Sequence, residues 1–423
     1  RIDDLKKSGA EIHIGHDKKN ISEDPEPDKV IISTAIPESN PELIKAKRLG
    51  IPIVKRAKMI AYLMAEKEGI AVSGTHGKTT TTGLISTVLK KGKYNPTVMI
   101  GGDLPSIGGN IQLGKGDYFV TEADESDGSL LYFEPLLSVV TNIELDHINY
   151  YDTRQKLLNI FSQFINKSTG KSIVCAEDET IREIVDLKND NIISYGFSQG
   201  DIIASNIKML PFGSYFDVEY NGRKLGEVNL QIPGKYNILN TLAAVSVGMY
   251  AGMSFTEIKS GVEDFNGVKR RFEKKGLIGD ILVIDDYAHH PTEIKETLKA
   301  AANTGYERVI AIFQPHRFSR TRYLYDQFCN SFAEVDHLII TDIYSADEKP
   351  ENKSDKELAH NMAAECAKIY EFNVDYIKDI TDIPSYLSNI IDSKDLVITV
   401  GAGDVYKVAE SLVDIMKRKC EMA

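Results

Sequence analysis

The 423-residue chain has few cysteines, no long apolar run and no excess of basic charge. Cys175, Cys329, Cys366 and Cys420 are scattered and form no CxxC pair. They suit a reducing compartment and read as small apolar side chains rather than as a disulfide framework. No apolar stretch approaches the ~18 residues that a membrane-crossing helix needs, so no membrane partner is expected. The N-terminus lacks the charged-then-apolar pattern of a secretory signal, which makes the cytoplasm the default expectation. A net charge of -12 supplies no dominant basic face and excludes general nucleic-acid binding. It leaves anionic small molecules open, because a phosphate site needs only a few local donors. No internal repeat or low-complexity linker is visible.

An ordinary soluble composition remains, 42% apolar and 26% charged, long enough for about three domains. The expected architecture is α/β: three α/β modules, a central mostly parallel sheet with a small antiparallel part, and a Rossmann-like C-terminal module. The first module holds a helix or turn over Leu5 to Ala10, a strand at Lys29 to Ser33, a helix over 37–50 opened by Pro41 and stopped by Gly50, and a strand at Ile51 to Val54. It starts in mid-unit, and the expectation is that an upstream segment is absent. The second module has buried strands at Ile70 to Ser73, Tyr118 to Thr121 and Leu136 to Thr141, and a helix over Thr79 to Lys91. Strands alternating with helices predict a parallel sheet covered on both sides. Residues 201–232 alternate in polarity around Asn221-Gly222, which predicts antiparallel hairpins. The third module has strands at Ile281 to Ile284, Arg308 to Phe313, His337 to Thr341 and Leu396 to Val400. The expected domains are 1–67, 68–268 and 269–423.

Four segments carry chemistry. After the strand ending at Ser73 runs Gly74-Thr75-His76-Gly77-Lys78-Thr79-Thr80. Glycines allow a tight loop whose N–H groups face phosphate oxygens, and the N-terminus of the next helix adds positive potential. Lys78 would reach the β- and γ-phosphates of a nucleotide, and the Thr79 hydroxyl would ligate Mg²⁺. Val72 stands where the common pattern has its first glycine, so this is a shorter variant. The second segment, Glu122 to Asp127, places four carboxylates at a strand's C-terminal end, where α/β sheets bind ligands. It suits Mg²⁺, with a solvated acidic turn as the alternative. Asp146-His147 follows the next strand. Third, Asn237 and Asn240 are three apart and would share a helix face, where their amides could read an adenine edge; N-capping by Asn237 is the alternative. Fourth, Asp285 to Pro291 and Gln314 to Arg320 end two strands of the last module. Arg317 and Arg320 could clamp a carboxylate or phosphate. A metal site of His289, His290 and His316 is conceivable, but it has neither cysteines nor a spaced HxxxH.

Together these segments resemble the Mur ligase family. The likeness runs through Ser33 to Pro37, Gly74 to Thr82, Glu122 to Asp127, Thr141 to His147, Gly267 to Glu273, Asp285 to Glu293, Phe313 to Thr321 and Gly401 to Asp404, nearly the whole chain in the family's order. The resemblance implies UDP-binding, ATPase and amino-acid domains in that order. It also implies an ATP-dependent ligase, with ATP and Mg²⁺ as cofactors, that joins L-alanine to the lactyl carboxylate of UDP-N-acetylmuramate. Lys78, His289, Arg317 and Arg320 are then expected to be catalytic, Asn237 and Asn240 to face adenine, and Thr79, Glu122 and His147 to hold the metal. Tyr287, His289 and His316 are expected at the substrate. The chain is expected to act as a monomer or weak homodimer. Two rivals stand beside this: a ligase adding a whole L-alanyl-γ-D-glutamyl-diaminopimelate peptide, and a non-catalytic ATP-binding protein.

The chain departs from the family in three places. The glycine-rich loop that grips the UDP pyrophosphate is absent, which sets the expectation of poor UDP-sugar binding. Tyr236 stands where a histidine is expected. No lysine after the Asp-His segment is a convincing carbamylated metal ligand, since Lys156 is too close and Lys167 too far.

Overall fold

The structure, a computed structural model, describes residues 2–146 and 150–422. Three sheets follow one another along the chain: two strands, then ten, then six. In the first, Val30–Ile32 pairs in parallel with Ile53–Lys55. The helix between them covers Pro41–Leu49, shorter at its start than the pattern suggested. Asn40 explains the late start, because its side chain accepts from the N–H groups of Glu42 and Leu43, and Gly50 ends the helix at φ 77°.

The ten-stranded sheet has seven parallel strands at its heart, with Glu68–Ser73 between Tyr118–Glu122 and Leu137–Val140. These read as continuous apolar runs because helices cover both faces. Antiparallel strands close the two edges. The hairpin at Asn221-Gly222 has both turn residues at positive φ, 48° and 75°, as a two-residue turn between twisted strands requires. Helix Lys78–Lys91 is buried from Thr79 to Leu89 against helices Lys235–Tyr250 and Phe255–Glu263. Four successive threonines are poor helix formers, so packing rather than propensity sets this helix. Their hydroxyls are partly absorbed locally: Thr81 donates to Asn240 Oδ1 across the helix pair at 3.1 Å.

In the six-stranded sheet, strands Ile281–Asp286, Asp395–Val400, Arg308–Phe313, His337–Ile340 and Asn373–Tyr376 run parallel, in that spatial order. Glu273–Ile278 pairs antiparallel at the edge. Several strands escape the sequence pattern. Glu273–Ile278 is charged and carries a glycine, as an exposed edge tolerates, and Thr97–Leu104 has two glycines in its middle. Lys171–Cys175 and Ile192–Gly196 are too short for periodicity to separate from buried helix. No helix among the described residues is long and apolar enough to cross a membrane.

Candidate active site

The strand ends of the central sheet place the phosphate-type loop beside the C-terminal domain. Gly74 has φ 132°, and any side chain there would collide with the Thr141 hydroxyl. Gly77 caps helix Lys78–Lys91 at φ 81°, and a Cβ would meet Asn240 Oδ1 at 2.6 Å. Both glycines are therefore required by backbone conformation and by close approach. Gly77→Val should destabilise the protein by about 1–3 kcal/mol, measured by denaturant unfolding; unchanged stability would show that the loop relaxes without cost.

The loop is braced from the neighbouring strand end. Asn142 Oδ1 accepts from the His76 N–H at 2.9 Å, and the Asn142 carbonyl accepts from the Thr75 N–H at 3.0 Å. The Thr75 hydroxyl bonds the Glu144 backbone on both sides. Those two N–H groups are thus engaged, and the free donors are the first-turn N–H groups of the helix that carries Lys78, Thr79 and Thr80. Lys78 Nζ donates to the Gly74 carbonyl at 2.6 Å and to Glu125 Oε1 at 3.0 Å. Burial would lower this amine's pKa, but Glu125, Asp124 and Glu122 outweigh it and raise it, so Lys78 is a firm cation.

Glu122 lies 3.2 Å from the Thr79 hydroxyl and accepts the Gly101 N–H at 2.6 Å. Burial pushes its carboxyl above the usual range despite Lys78 nearby. A half-buried carboxylate beside a hydroxyl at a phosphate loop is a set of hard oxygen donors that fits Mg²⁺. The third expected ligand, His147, lies outside the described residues.

Two cavities flank the loop. One, of about 340 Å³, is lined by Asn237, Asn240, Tyr236 and apolar side chains including Ile143, Leu239 and Phe272. The other, of about 600 Å³, is lined by Lys78, Thr79, Glu122, Tyr287 and His289. His76, Gly77, Arg271 and Glu293 line both and so mark the waist between them. Asn237 is inside its helix, not at the cap, which is Gly234. Its Nδ2 donates to the Pro233 carbonyl at 2.6 Å while its Oδ1 accepts from Asn240 Nδ2 at 3.0 Å, so each amide fixes the other.

On the C-terminal side, Tyr287, His289 and His316 do come together, with ring centroids 5.4 and 5.9 Å apart. His289 Nδ1 donates to the Tyr287 carbonyl at 3.0 Å, leaving Nε2 as the acceptor nitrogen. Burial and the Arg320 charge push its pKa down to about 3, and His316 goes down to about 4 for the same reasons. Both rings are therefore neutral near pH 7. Arg320 is buried and pairs with Asp146 of the central domain through Nε at 3.4 Å and Nη2 at 3.2 Å, while Nη1 donates to His316. It braces the domain junction rather than facing either cavity, and the Arg317 side chain is exposed. His289, His290 and His316 do not form one metal-binding group. The group that assembles among the described residues is His76, Glu144 and His290.

Sequence reasoning missed the cation between the cavities. Arg271 lies over the Tyr287 ring and 3.8 Å from Glu293. Burial would lower its pKa, but Glu293 and Asp286 raise it. The signal was the Lys269-Arg270-Arg271 run at a domain boundary in an otherwise acidic chain.

A phosphate-binding loop on a parallel sheet, with acidic strand ends and a basic strip from a second α/β domain, defines a P-loop enzyme of the triphosphate-using class. Comparisons narrow the class: residues 1–68 match the Mur ligase family catalytic domain, 72–248 the Mur ligase middle domain, and 270–403 the Mur ligase, glutamate ligase domain. A UDP-N-acetylmuramate--L-alanine ligase from Geotalea uraniireducens is 43% identical over 97% of this chain and 89% of its own length. One from Desulforamulus reducens is 42% identical over 99% and 90%. The crystal structure of UDP-N-acetylmuramate-alanine ligase MurC from Thermotoga maritima superposes with TM-score 0.83 at 28% identity, covering 98% of this chain and 90% of that one. A murein peptide ligase from Psychrobacter arcticus shares the fold, with TM-score 0.70 at 22% identity over 98% and 90%. The chain belongs to the Mur ligase family.

Proposed function

We propose that this protein is an ATP-dependent ligase that joins L-alanine to the lactyl carboxylate of UDP-N-acetylmuramate, in the cytoplasm, for peptidoglycan precursor synthesis. The observation that carries the reading is the two-chambered cleft with the phosphate loop at its waist. Adenine fits the apolar chamber, against the Asn237 and Asn240 amides. The triphosphate then passes Gly77 toward Lys78 and enters the polar chamber, where the C-terminal domain meets it. The division at 67/68 and 268/269 belongs to the same proposal, since each domain supplies one ligand class.

The lactyl carboxylate attacks the γ-phosphorus, ADP leaves, and an acyl phosphate forms. The alanine amine attacks the acyl carbon and phosphate departs. In the first step two anions must meet, and the chain's task is to neutralise and align them. Lys78 and Arg271 bring positive charge to the two ends of the waist. Thr79 and Glu122 would hold Mg²⁺, with His147 as the third ligand that the family resemblance implies, and the ion would further neutralise the phosphate oxygens. In the second step the His289 Nε2 accepts a hydrogen bond from the incoming amine. Its low basicity means that it orients the amine without taking its proton, which leaves with the departing phosphate. Tyr287 and His316 hold that imidazole in place. Arg320 and Arg317 act from the domain junction and its rim.

The tripeptide-adding alternative is not favoured, because the similar curated relatives at 41–43% identity are alanine ligases and the murein peptide ligase likeness lies in the fold. Offering equal L-alanine and L-alanyl-γ-D-glutamyl-diaminopimelate tests this. Alanine should be joined at least about tenfold faster, roughly 1.4 kcal/mol of discrimination, and a preference for the tripeptide would overturn the assignment.

A further inference from the structure

At the waist of the cleft, charge is arranged in a way that neither chemical step requires. His76 leaves the phosphate loop with one ring nitrogen toward each domain. Its Nε2 lies 2.9 Å from Glu144 Oε2, on the loop after strand Leu137–Val140 of the central domain. Its Nδ1 lies 3.1 Å from Glu293 Oε1, in the first turn of helix Pro291–Ala302 of the C-terminal domain. Nε2 is hydrogen-bonded to Glu144 and Nδ1 lies in ion-pair range of Glu293, so the two carboxylates together favour the imidazolium. The same two segments are tied again by the Thr292 hydroxyl, which donates to Glu144 Oε1 at 2.8 Å. The His290 ring tilts against His76 at 4.9 Å.

We infer that His76 is a positioning residue that latches the C-terminal domain over the nucleotide cleft, its positive charge bridging Glu144 and Glu293. The catalytic consequence rests on the ligase reading above, but the mechanical one does not. A latch on the phosphate loop itself couples closure to the segment that holds the triphosphate. Domain closure would then complete the cavity that Lys78 and Arg271 both line.

The charges around the ring agree with this. Glu144 faces it from the central domain, Glu293 and His290 face it from the C-terminal helix and its approach, and His289 stands behind Glu293. Arg271 stands behind Glu293. Burial would lower the His76 pKa, but Glu293 and Glu144 raise it to about 9. Burial and the His76 charge keep His290 below its ordinary value, so it does not compete for the proton. Burial would raise Glu293, yet the cations around it hold it well below the usual carboxylate range. Because the folded pKa of His76 lies above the ordinary 6.5, the latch is complete below that value. It is lost as pH rises through about 9.

The test is a double-mutant cycle of His76→Asn and Glu293→Gln, read by small-angle X-ray scattering on the substrate-free chain and by steady-state kinetics, with circular dichroism to confirm folding. Each single variant should raise the radius of gyration and lower kcat about 5- to 50-fold, with the ATP KM changing less. The double variant should be no worse than either single one. Wild type should expand between pH 8 and 10 and the His76→Asn variant should not, the window being set by the His76 value of about 9. Additive effects, an unchanged radius of gyration, or a loss confined to the ATP KM would overturn the latch and make His76 a simple phosphate contact. If wild type forms no ADP with its proposed substrates, the ligase reading fails, while the scattering cycle still decides the latch.

Discussion

Lys78→Ala should lower ATP-dependent phosphate release at least about a thousandfold, about 4 kcal/mol of transition-state stabilisation. The structure gives the reason for so large an effect. Lys78 is the cation of the loop, ion-paired with Glu125 and kept charged by Glu125, Asp124 and Glu122. When a triphosphate enters, those carboxylates have already oriented the amine beside Gly74 and Thr75. Removing it leaves the carboxylates of Glu122, Asp124 and the buried Glu125 facing a polyanion, so binding suffers as well as turnover. Folding should survive, because the helix that carries it is fixed by its buried face from Thr79 to Leu89. Stopped-time phosphate assays with a melting curve on the same sample check this, and retained release would remove the loop from the chemistry.

Arg271→Met should be nearly as damaging, lowering kcat by about a thousandfold or more, in the range of a cation supplied to a transferring phosphoryl group. Arg271 lines both cavities, and on the proposed reading it would meet the γ-phosphate from the C-terminal domain. Its loss also removes one of the cations near Glu293 and Asp286, which keep His76 and the Phe272 and Ala288 N–H groups as partners, and should cost stability of about 1–3 kcal/mol. The two effects separate by temperature. A thousandfold loss that persists well below the melting temperature belongs to the reaction, whereas full activity there would leave Arg271 with a structural role alone.

Much of this site was readable from the chain, and the reason differs by residue. Gly74, Gly77 and Lys78 were legible because the loop's chemistry is local: two positive-φ positions, a lysine and a helix start within five residues. Asn237 and Asn240 were legible as a pair because helical spacing alone puts them together, although only the structure shows them bonding each other at 3.0 Å. Arg271, Glu144 and Glu293 were not legible as site residues. Their roles exist only where two domains touch, and no spacing in the sequence encodes that. Arg320 shows the converse. Its motif suggested a phosphate clamp, while Asp146, 174 positions away, pairs with it across the domain junction.

The edge strands failed for a related reason. Glu273–Ile278 becomes a strand by pairing with Ile281–Asp286, not by its own alternation. His289 was legible as a candidate imidazole of the cleft, but its basicity was not, because burial and the Arg320 charge that lower it come from the folded surroundings.

On the proposed reading the cleft couples ATP cleavage to amide-bond formation between two particular partners. The most direct measurement follows ADP release together with incorporation of labelled L-alanine into UDP-N-acetylmuramate, omitting each substrate in turn. The account predicts one ADP per alanine joined and no sustained ADP release without either partner. ADP release that continues unchanged without UDP-N-acetylmuramate or alanine would contradict it.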